Sequence, residues 1–169
     1  MQCIAIVGCG GSGKSVLARA LAERTRLPVT HLDCVHYDAD WNPLPKDQFA
    51  AIQHDLVQQP GWIIDGNYAS TLPIRLAVAD TVIFLDLSAA TCLWGVLKRR
   101  MRYRGGQHQD AGVFDRINWS FVKYILGYRR GMRPRVMDLI EEYAPKANVV
   151  ILRSRRQTRR YLATEAATD

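Results

Sequence analysis

The chain has 169 residues, 48% of them hydrophobic, and a formal net charge of +7 at pH 7. This length predicts a single domain over residues 1–169 that buries its own core without disulfides. The 4 cysteines have no Cys-x-x-Cys spacing, which argues against a zinc site. No apolar run approaches ~20 residues, which argues against a membrane-spanning helix. With no signal-like segment after Met1, we expect a reduced, cytoplasmic protein.

Apolar runs alternate with helical patterns along the chain, as in a parallel sheet with crossover helices. The predicted strands are Cys3–Val7, Val29–Asp33, Trp62–Asp65, Thr81–Asp86 and Asn148–Leu152. The predicted helices are Val16–Leu21, Pro45–Val57, Leu72–Ala79, Ala89–Arg102, Arg116–Tyr128, Pro134–Tyr143 and a last one through Leu162. Glycines in Tyr103–Val113 predict a mobile loop within a lid or helical insertion at about residues 99–135.

The most informative motif lies between the first predicted strand and helix. Its sequence, Gly-Cys-Gly-Gly-Ser-Gly-Lys-Ser, fits the phosphate-loop pattern G-x-x-x-x-G-K-[ST] in its confirming strand–loop–helix context. Glycines let backbone N–H groups converge on anionic oxygens, so the motif predicts a nucleotide site. We expect Lys14 to reach the β/γ-phosphates of ATP and Ser15 to bind Mg²⁺. The predicted nucleotide-binding residues are Gly8, Gly10, Gly11, Ser12, Gly13, Lys14, Ser15 and Val16.

The positive charge is concentrated in the second half of the chain. Residues 1–97 hold six Lys or Arg against nine Asp or Glu, whereas residues 98–135 hold eleven against two. Residues 153–160 add five arginines. An arginine-rich segment that faces a phosphate loop favours a lid that closes over a bound polyphosphate. A solvated basic face or a nucleic-acid-binding surface would give the same charge pattern.

Taken together, these blocks resemble the adenylate-kinase-like branch of P-loop kinases and, within it, the DNA topology modulation protein family. The resemblance rests on the phosphate loop and on His31-Leu32-Asp33 with Trp41, Trp62–Tyr68, Phe84-Leu85-Asp86 and Leu97–Arg100. It implies the α/β three-layer sandwich of P-loop NTPases. In that fold a five-stranded parallel sheet of order 2-3-1-4-5 has helices on both faces, ATP binds at its carboxyl edge and an arginine-bearing lid covers it. It also implies an adenine-bracketing loop near Arg155.

The third-strand block ends in an acid. Asp65 should point to the same sheet edge as Ser15, where a carboxylate can hold Mg²⁺ or help to bind substrate. A turn-forming role beside Gly66 is the alternative. The resemblance implies an acceptor-gripping arginine after Asp-Gly, but Asn67 and Tyr68 stand there instead and the next arginine is Arg75.

Asp33 carries the argument about the acceptor. An acid at the end of the second predicted strand, beside the phosphate loop, can accept the proton of an attacking hydroxyl. A loop-capping role is the alternative. We expect the acceptor to lie among Asp33, Trp41, Asp65, Asn67 and Arg75.

Arginines on either side of the glycine-rich loop resemble the two hinges of a kinase lid. Guanidinium groups suit a bidentate grip on phosphate oxygens, and the predicted catalytic set is Lys14, Asp33, Arg99, Arg104, Arg129 and Arg133. Ser88 is predicted to cap the helix Ala89–Arg102. Asp86 lies where a second strand-end acid would fall, but because it precedes Ser88 at the helix entry we favour a capping role.

Two functions remain open at this stage. The favoured one is an ATP- and Mg²⁺-dependent kinase that phosphorylates a nucleotide or small hydroxyl compound. The alternative is a nucleotide-binding topology modulation or regulatory protein that touches nucleic acid through its basic half. No helix-turn-helix or zinc-finger motif supports the latter. The sequence leaves the oligomeric state open.

Overall fold

A computed structural model describes residues 1–37, 42–103 and 118–165 of the chain. The strands are β1 (Cys3–Gly8), β2 (Val29–His31), β3 (Trp62–Asp65), β4 (Thr81–Leu85) and β5 (Asn148–Leu152). The helices in these segments are α1 (Lys14–Thr25), α2 (Leu32–Val35), α3 (Lys46–Val57), α4 (Leu72–Leu76), α5 (Ala89–Tyr103), α6 (Trp119–Gly127), α7 (Met132–Tyr143) and α8 (Arg155–Glu165).

The strands form one parallel sheet in the order β2-β3-β1-β4-β5, which confirms the expected architecture. Its central strands are buried, as their continuous apolar sequences predict. Alternate residues face opposite sides: Ala5 and Val7 join one buried cluster, while Ile4 and Ile6 join another. Residues of α1 and α8 cover the second cluster, and residues of α3 to α7 cover the first. The sheet therefore has helices on both faces.

The second strand is shorter than predicted. It ends at His31, and Leu32–Val35 form helix α2, so Asp33 lies in the first turn of a helix rather than at a strand end. Leu32 explains the change of direction because its side chain is completely buried under the turn after β3, where it packs against Gly66. Asp33 therefore belongs to α2 and not to the sheet.

Arg75 holds the turn between β3 and α4 together. Its side chain is fully buried, and its two terminal nitrogens donate to the Gln53 side-chain oxygen at 2.6 Å and to the Gly66 carbonyl oxygen at 3.1 Å. Gln53 in turn donates to the Thr71 hydroxyl at 2.9 Å. Burial lowers the pKa of Arg75 to about 10, against the opposing effect of Asp65 and Tyr68. The predicted acceptor-binding arginine is thus a structural residue of the interior.

Several sequence expectations fall on residues that the structure leaves undescribed. Trp41, Arg104 and the predicted loop beyond Tyr103 lie outside the described residues. Among the described segments, no helix combines the length and apolar character that a membrane span requires.

We expect Arg75→Ala to lower the free energy of unfolding by about 3 kcal/mol, because it leaves buried oxygens of Gln53 and Gly66 without a donor and opens a cavity. Urea unfolding of the purified chain measures this. Arg130→Ala, at an exposed arginine, is the control and should change the free energy by less than about 0.5 kcal/mol. Equal stability of the two variants would contradict a structural role for Arg75.

Candidate functional site

A cavity of about 1070 Å³ opens beside the phosphate loop. Several elements contribute to its walls: the phosphate loop and α1, the region from α2 to Tyr37, the Asn67–Ser70 segment, and helices α5, α6 and α7. Of the predicted site residues, the cavity is lined by Gly10, Gly11, Gly13, Lys14, Ser15, Val16, Asp33, Asn67, Arg99 and Arg155. Residues from both halves of the predicted site therefore face one space.

The phosphate loop has the backbone that anion binding requires. Gly11 and Gly13 have φ values of 77° and 98°, a region that side chains other than glycine rarely adopt. α1 begins directly after Gly13, so its unpaired N–H groups and positive dipole end face the loop. The Lys14 ammonium donates to the carbonyl oxygens of Gly8 and Cys9, both at 3.1 Å. This arrangement suits tetrahedral anions such as phosphate.

Two helices pack directly on the loop. A Cβ at Gly95 of α5 would overlap the Gly11 carbonyl oxygen, and a Cβ at Gly10 would lie 2.5 Å from the ring of Phe121 on α6. Beneath the loop, a hydrogen bond with the Cys92 thiol, together with burial, raises the pKa of Cys9. Cys9 is therefore a packed, protonated thiol and not a nucleophile.

Asn67 joins the loop to α6. Its side-chain oxygen accepts from the Gly8 N–H at 3.4 Å and from the Tyr128 hydroxyl at 3.2 Å. Its nitrogen donates to the Tyr124 hydroxyl at 3.0 Å. Burial raises the pKa of Tyr124 to about 12, so this phenol is neutral at physiological pH. Asn67 lines the cavity, but both polar atoms of its side chain form hydrogen bonds within the protein.

Asp33 is the acidic side chain among the described residues that line the cavity. Its Oδ1 accepts a hydrogen bond from the Tyr68 hydroxyl at 2.8 Å. The basic lining residues are Lys14, Arg19, Lys98, Arg99, Arg102, Arg135 and Arg155. This excess of positive charge around a single carboxylate suits a polyanionic ligand.

Asp65 occupies a different position from Ser15. Asp65 is 3% exposed, and its Oδ2 lies 2.9 Å from Nδ1 of His31. His31 is the residue opposite Asp65 on the adjacent strand β2. Ser15 lines the cavity, and Asp65 is absent from the described lining. The structure thus does not bring the two predicted metal ligands together at the cavity wall. Within residues 1–37, 42–103 and 118–165, no three His, Cys, Asp or Glu cluster as metal ligands would.

Two of the predicted lid arginines also lie away from the described lining. Arg129 is exposed after α6, and Arg133 donates from Nε to both carboxylate oxygens of Asp86 at 3.0 Å. Asp86 is 2% exposed and both of its carboxylate oxygens accept from Arg133, so it anchors α7 to the end of β4 and does not have the predicted capping role. The capping oxygen at α5 belongs to Ser88, which accepts from the Thr91 N–H at 3.3 Å.

Sequence reasoning missed several lining residues that helical spacing could have revealed. Arg19 follows Ser15 by one turn of α1, and Lys98 and Arg102 share a face of α5 with Gly95. Tyr68 lies inside the third-strand block named in the sequence analysis, but no sequence pattern indicates that its hydroxyl donates to Asp33. The aromatic pair Phe121 and Tyr124 lies on one face of α6, with ring centroids 6.3 Å apart.

Comparison with known proteins identifies the fold. No protein-family model and no curated protein matches this chain. The structure of a shikimate kinase from Bacteroides thetaiotaomicron is similar, with a TM-score of 0.56 and 16% sequence identity. The alignment covers 97% of this chain and 95% of the shikimate kinase chain. A shikimate kinase from Acinetobacter baumannii, in complex with shikimate, has a TM-score of 0.58 and 14% sequence identity to this chain. That alignment covers 98% of this chain and 90% of the Acinetobacter chain. The chain therefore has the fold of these shikimate kinases.

The close packing of α5 on the phosphate loop predicts that Gly95→Ala destabilises the protein by about 1–3 kcal/mol, because the added methyl group overlaps the Gly11 carbonyl. Thermal and urea unfolding measure the loss. Gly127→Ala is the matched control, since a Cβ there meets no atom within 4 Å and alanine suits a helix better than glycine. A Gly95→Ala protein as stable as Gly127→Ala would contradict the packing argument.

Proposed function

We propose that this chain is an ATP-dependent kinase that transfers the γ-phosphate of ATP to a hydroxyl group of a small molecule or nucleotide. The observation that carries the proposal is that one cavity is lined by both Lys14 and Ser15 of the phosphate loop and by Asp33. A phosphoryl donor site and a carboxylate base within one space are what transfer to an alcohol requires.

The phosphate loop binds the donor. Its backbone N–H groups and the start of α1 hold the phosphate oxygens, and Lys14 exchanges its contacts with Gly8 and Cys9 for the β- and γ-phosphates. Arg155 follows β5, lines the cavity and donates to the Thr91 carbonyl oxygen at 3.3 Å. It would contact the nucleotide on the α8 side of the cavity. Lys98, Arg99 and Arg102 project from α5 into the same space and offset phosphate charge.

Asp33 acts on the acceptor. It accepts the proton of the acceptor hydroxyl as that oxygen bonds to the γ-phosphorus and the bond to the β-phosphate oxygen of ADP breaks. The fully buried Arg75 is unavailable to grip an acceptor phosphate, which favours a hydroxyl acceptor over a nucleoside monophosphate. One of the similar structures holds shikimate, so this fold accommodates a small-molecule acceptor.

The site also fits a magnesium ion bound with the nucleotide. The Ser15 hydroxyl lines the cavity at the start of α1, where it would supply one oxygen ligand beside the phosphate oxygens of the nucleotide. Mg²⁺ would neutralise charge on the transferred phosphate. Asp65 supports this edge of the sheet through His31.

The nucleic-acid alternative draws on the basic second half of the chain. The structure divides that charge, because Lys98, Arg99, Arg102, Arg135 and Arg155 line the cavity while Arg133 pairs with Asp86. Much of the basic character thus has a local explanation in a phosphate-binding site. The kinase proposal accounts for it without a second macromolecule.

Lys14→Ala should weaken binding of a non-hydrolysable ATP analogue about 100-fold, because it removes charged hydrogen bonds to phosphate. Isothermal titration calorimetry with Mg²⁺ present measures the affinity. Lys123→Ala is the control, since this lysine lies over the Trp119 ring outside the described lining, and it should bind the analogue as the unchanged protein does. Unchanged affinity in a folded Lys14→Ala protein would overturn the nucleotide site.

Asp33→Asn should lower the transfer rate about 10²–10⁴-fold while the affinity for the ATP analogue stays near that of the unchanged protein, because a general base acts on the acceptor alone. Acceptors are first found by thermal-shift screening with the analogue and Mg²⁺, then assayed for ADP release. Asp55→Asn, at an exposed position of α3, is the control and should leave the rate unchanged. A full rate in Asp33→Asn would contradict the base assignment.

A further inference from the structure

The structure assigns to Tyr68 the role of a positioning residue for Asp33. The phenol hydroxyl donates to Asp33 Oδ1 at 2.8 Å, and both side chains line the cavity. With Oδ1 engaged, Oδ2 is the oxygen that receives a proton from a bound hydroxyl. This inference rests on the proposed function for its purpose, but the hydrogen bond and its effect on the carboxyl can be tested without an acceptor.

The ring of Tyr68 is fixed by its neighbours. It packs on the rings of His36 and Phe49, with centroid distances of 4.7 and 4.9 Å. Its carbonyl oxygen accepts from the Thr71 N–H at 3.1 Å. Thr71 is itself held by Gln53, which bonds to the buried Arg75. The position of the phenol therefore depends on the interior of the fold and is set before any ligand binds.

The hydrogen bond has an electrostatic consequence. Because the phenol donates to Oδ1, the carboxylate is held by a charge-assisted hydrogen bond. The neighbouring carboxylate also raises the pKa of Tyr68, next to the larger effect of burial, so the phenol itself stays protonated. Tyr68 can hold the carboxylate without competing for the reaction proton.

Other titratable groups face this pair. On the α2 side these are His36, Cys34 and Tyr37, on the β3–α4 side Asp65 and Arg75, and on α6 Tyr124. Burial lowers the pKa of His36, whereas burial and then Asp33 raise the pKa of Cys34. The group that donates to Asp33 Oδ1 is the Tyr68 hydroxyl.

The test is the carbon-13 NMR chemical shift of the Asp33 carboxyl in the full chain at pH 7, with its signal assigned by Asp33→Asn. Tyr68→Phe removes the donor and keeps the ring, so the Asp33 carboxyl signal should move to a new position. Tyr143→Phe, at an exposed tyrosine, is the matched control and should leave the Asp33 signal unchanged. A merely structural role for the ring predicts no such shift, since the ring is retained.

A second variant guards against a Tyr68→Phe protein that fails to fold. Replacing Tyr68 by 3-fluorotyrosine makes the phenol a stronger donor, so the Asp33 carboxyl signal should move in the direction opposite to that caused by Tyr68→Phe. An Asp33 carboxyl signal at the same position with tyrosine, phenylalanine and fluorotyrosine at position 68 would overturn the assignment. Failure of the proposed function is a separate result: it would appear as an undiminished transfer rate in Asp33→Asn, whatever the spectra of the Tyr68 variants show.

Discussion

The close backbone approach between α5 and the phosphate loop is the constraint on which the site depends. Gly95 lets the helix reach the Gly11 carbonyl, and Gly11 lies against the Cys92 carbonyl in the same way. A side chain at either glycine would push the helix away from the loop. Because α5 carries Lys98, Arg99 and Arg102 into the cavity, its distance from the loop also sets where that positive charge lies. Sheet, loop and charged helix thus form one unit.

The segment after β3 connects the two halves of the proposed reaction. Asn67 bonds to the phosphate loop and to α6, and the next residue, Tyr68, bonds to Asp33. Both are held from below by the buried contacts of Arg75 with Gln53 and Gly66. The sequence resemblance implied an arginine at this point for an acceptor phosphate, and Asn67 and Tyr68 stand there instead. In this chain the same turn instead organises polar contacts between the donor and acceptor regions.

The sequence predicted the fold well because its strongest signals are local. Apolar runs located the buried strand Trp62–Asp65 and the edge strand Asn148–Leu152 with their observed bounds, and the phosphate-loop spacing located Lys14 and Ser15 at the cavity. Prediction failed where long-range packing decides. Leu32 is drawn into the core and turns the chain into α2, which shortens the predicted second strand.

The charged residues were the least predictable part of the site. Arg75 and Arg133 looked like phosphate ligands, yet one is enclosed by Gln53 and Gly66 and the other pairs with Asp86. Conversely, Arg19 and Arg135 line the cavity although no motif contains them. A guanidinium group reaches far from its backbone, so its partner depends on neighbours that are distant in sequence.

The central claim is that this site transfers phosphate from ATP to a hydroxyl group. Phosphorus-31 NMR of the protein with Mg²⁺, ATP and the acceptors selected by thermal shift tests it directly, because the technique distinguishes a phosphate monoester from a new diphosphate and from inorganic phosphate. We predict loss of the γ-phosphate signal with appearance of ADP and a phosphate monoester. Inorganic phosphate or a nucleoside diphosphate as the sole new phosphorylated product besides ADP would contradict the account.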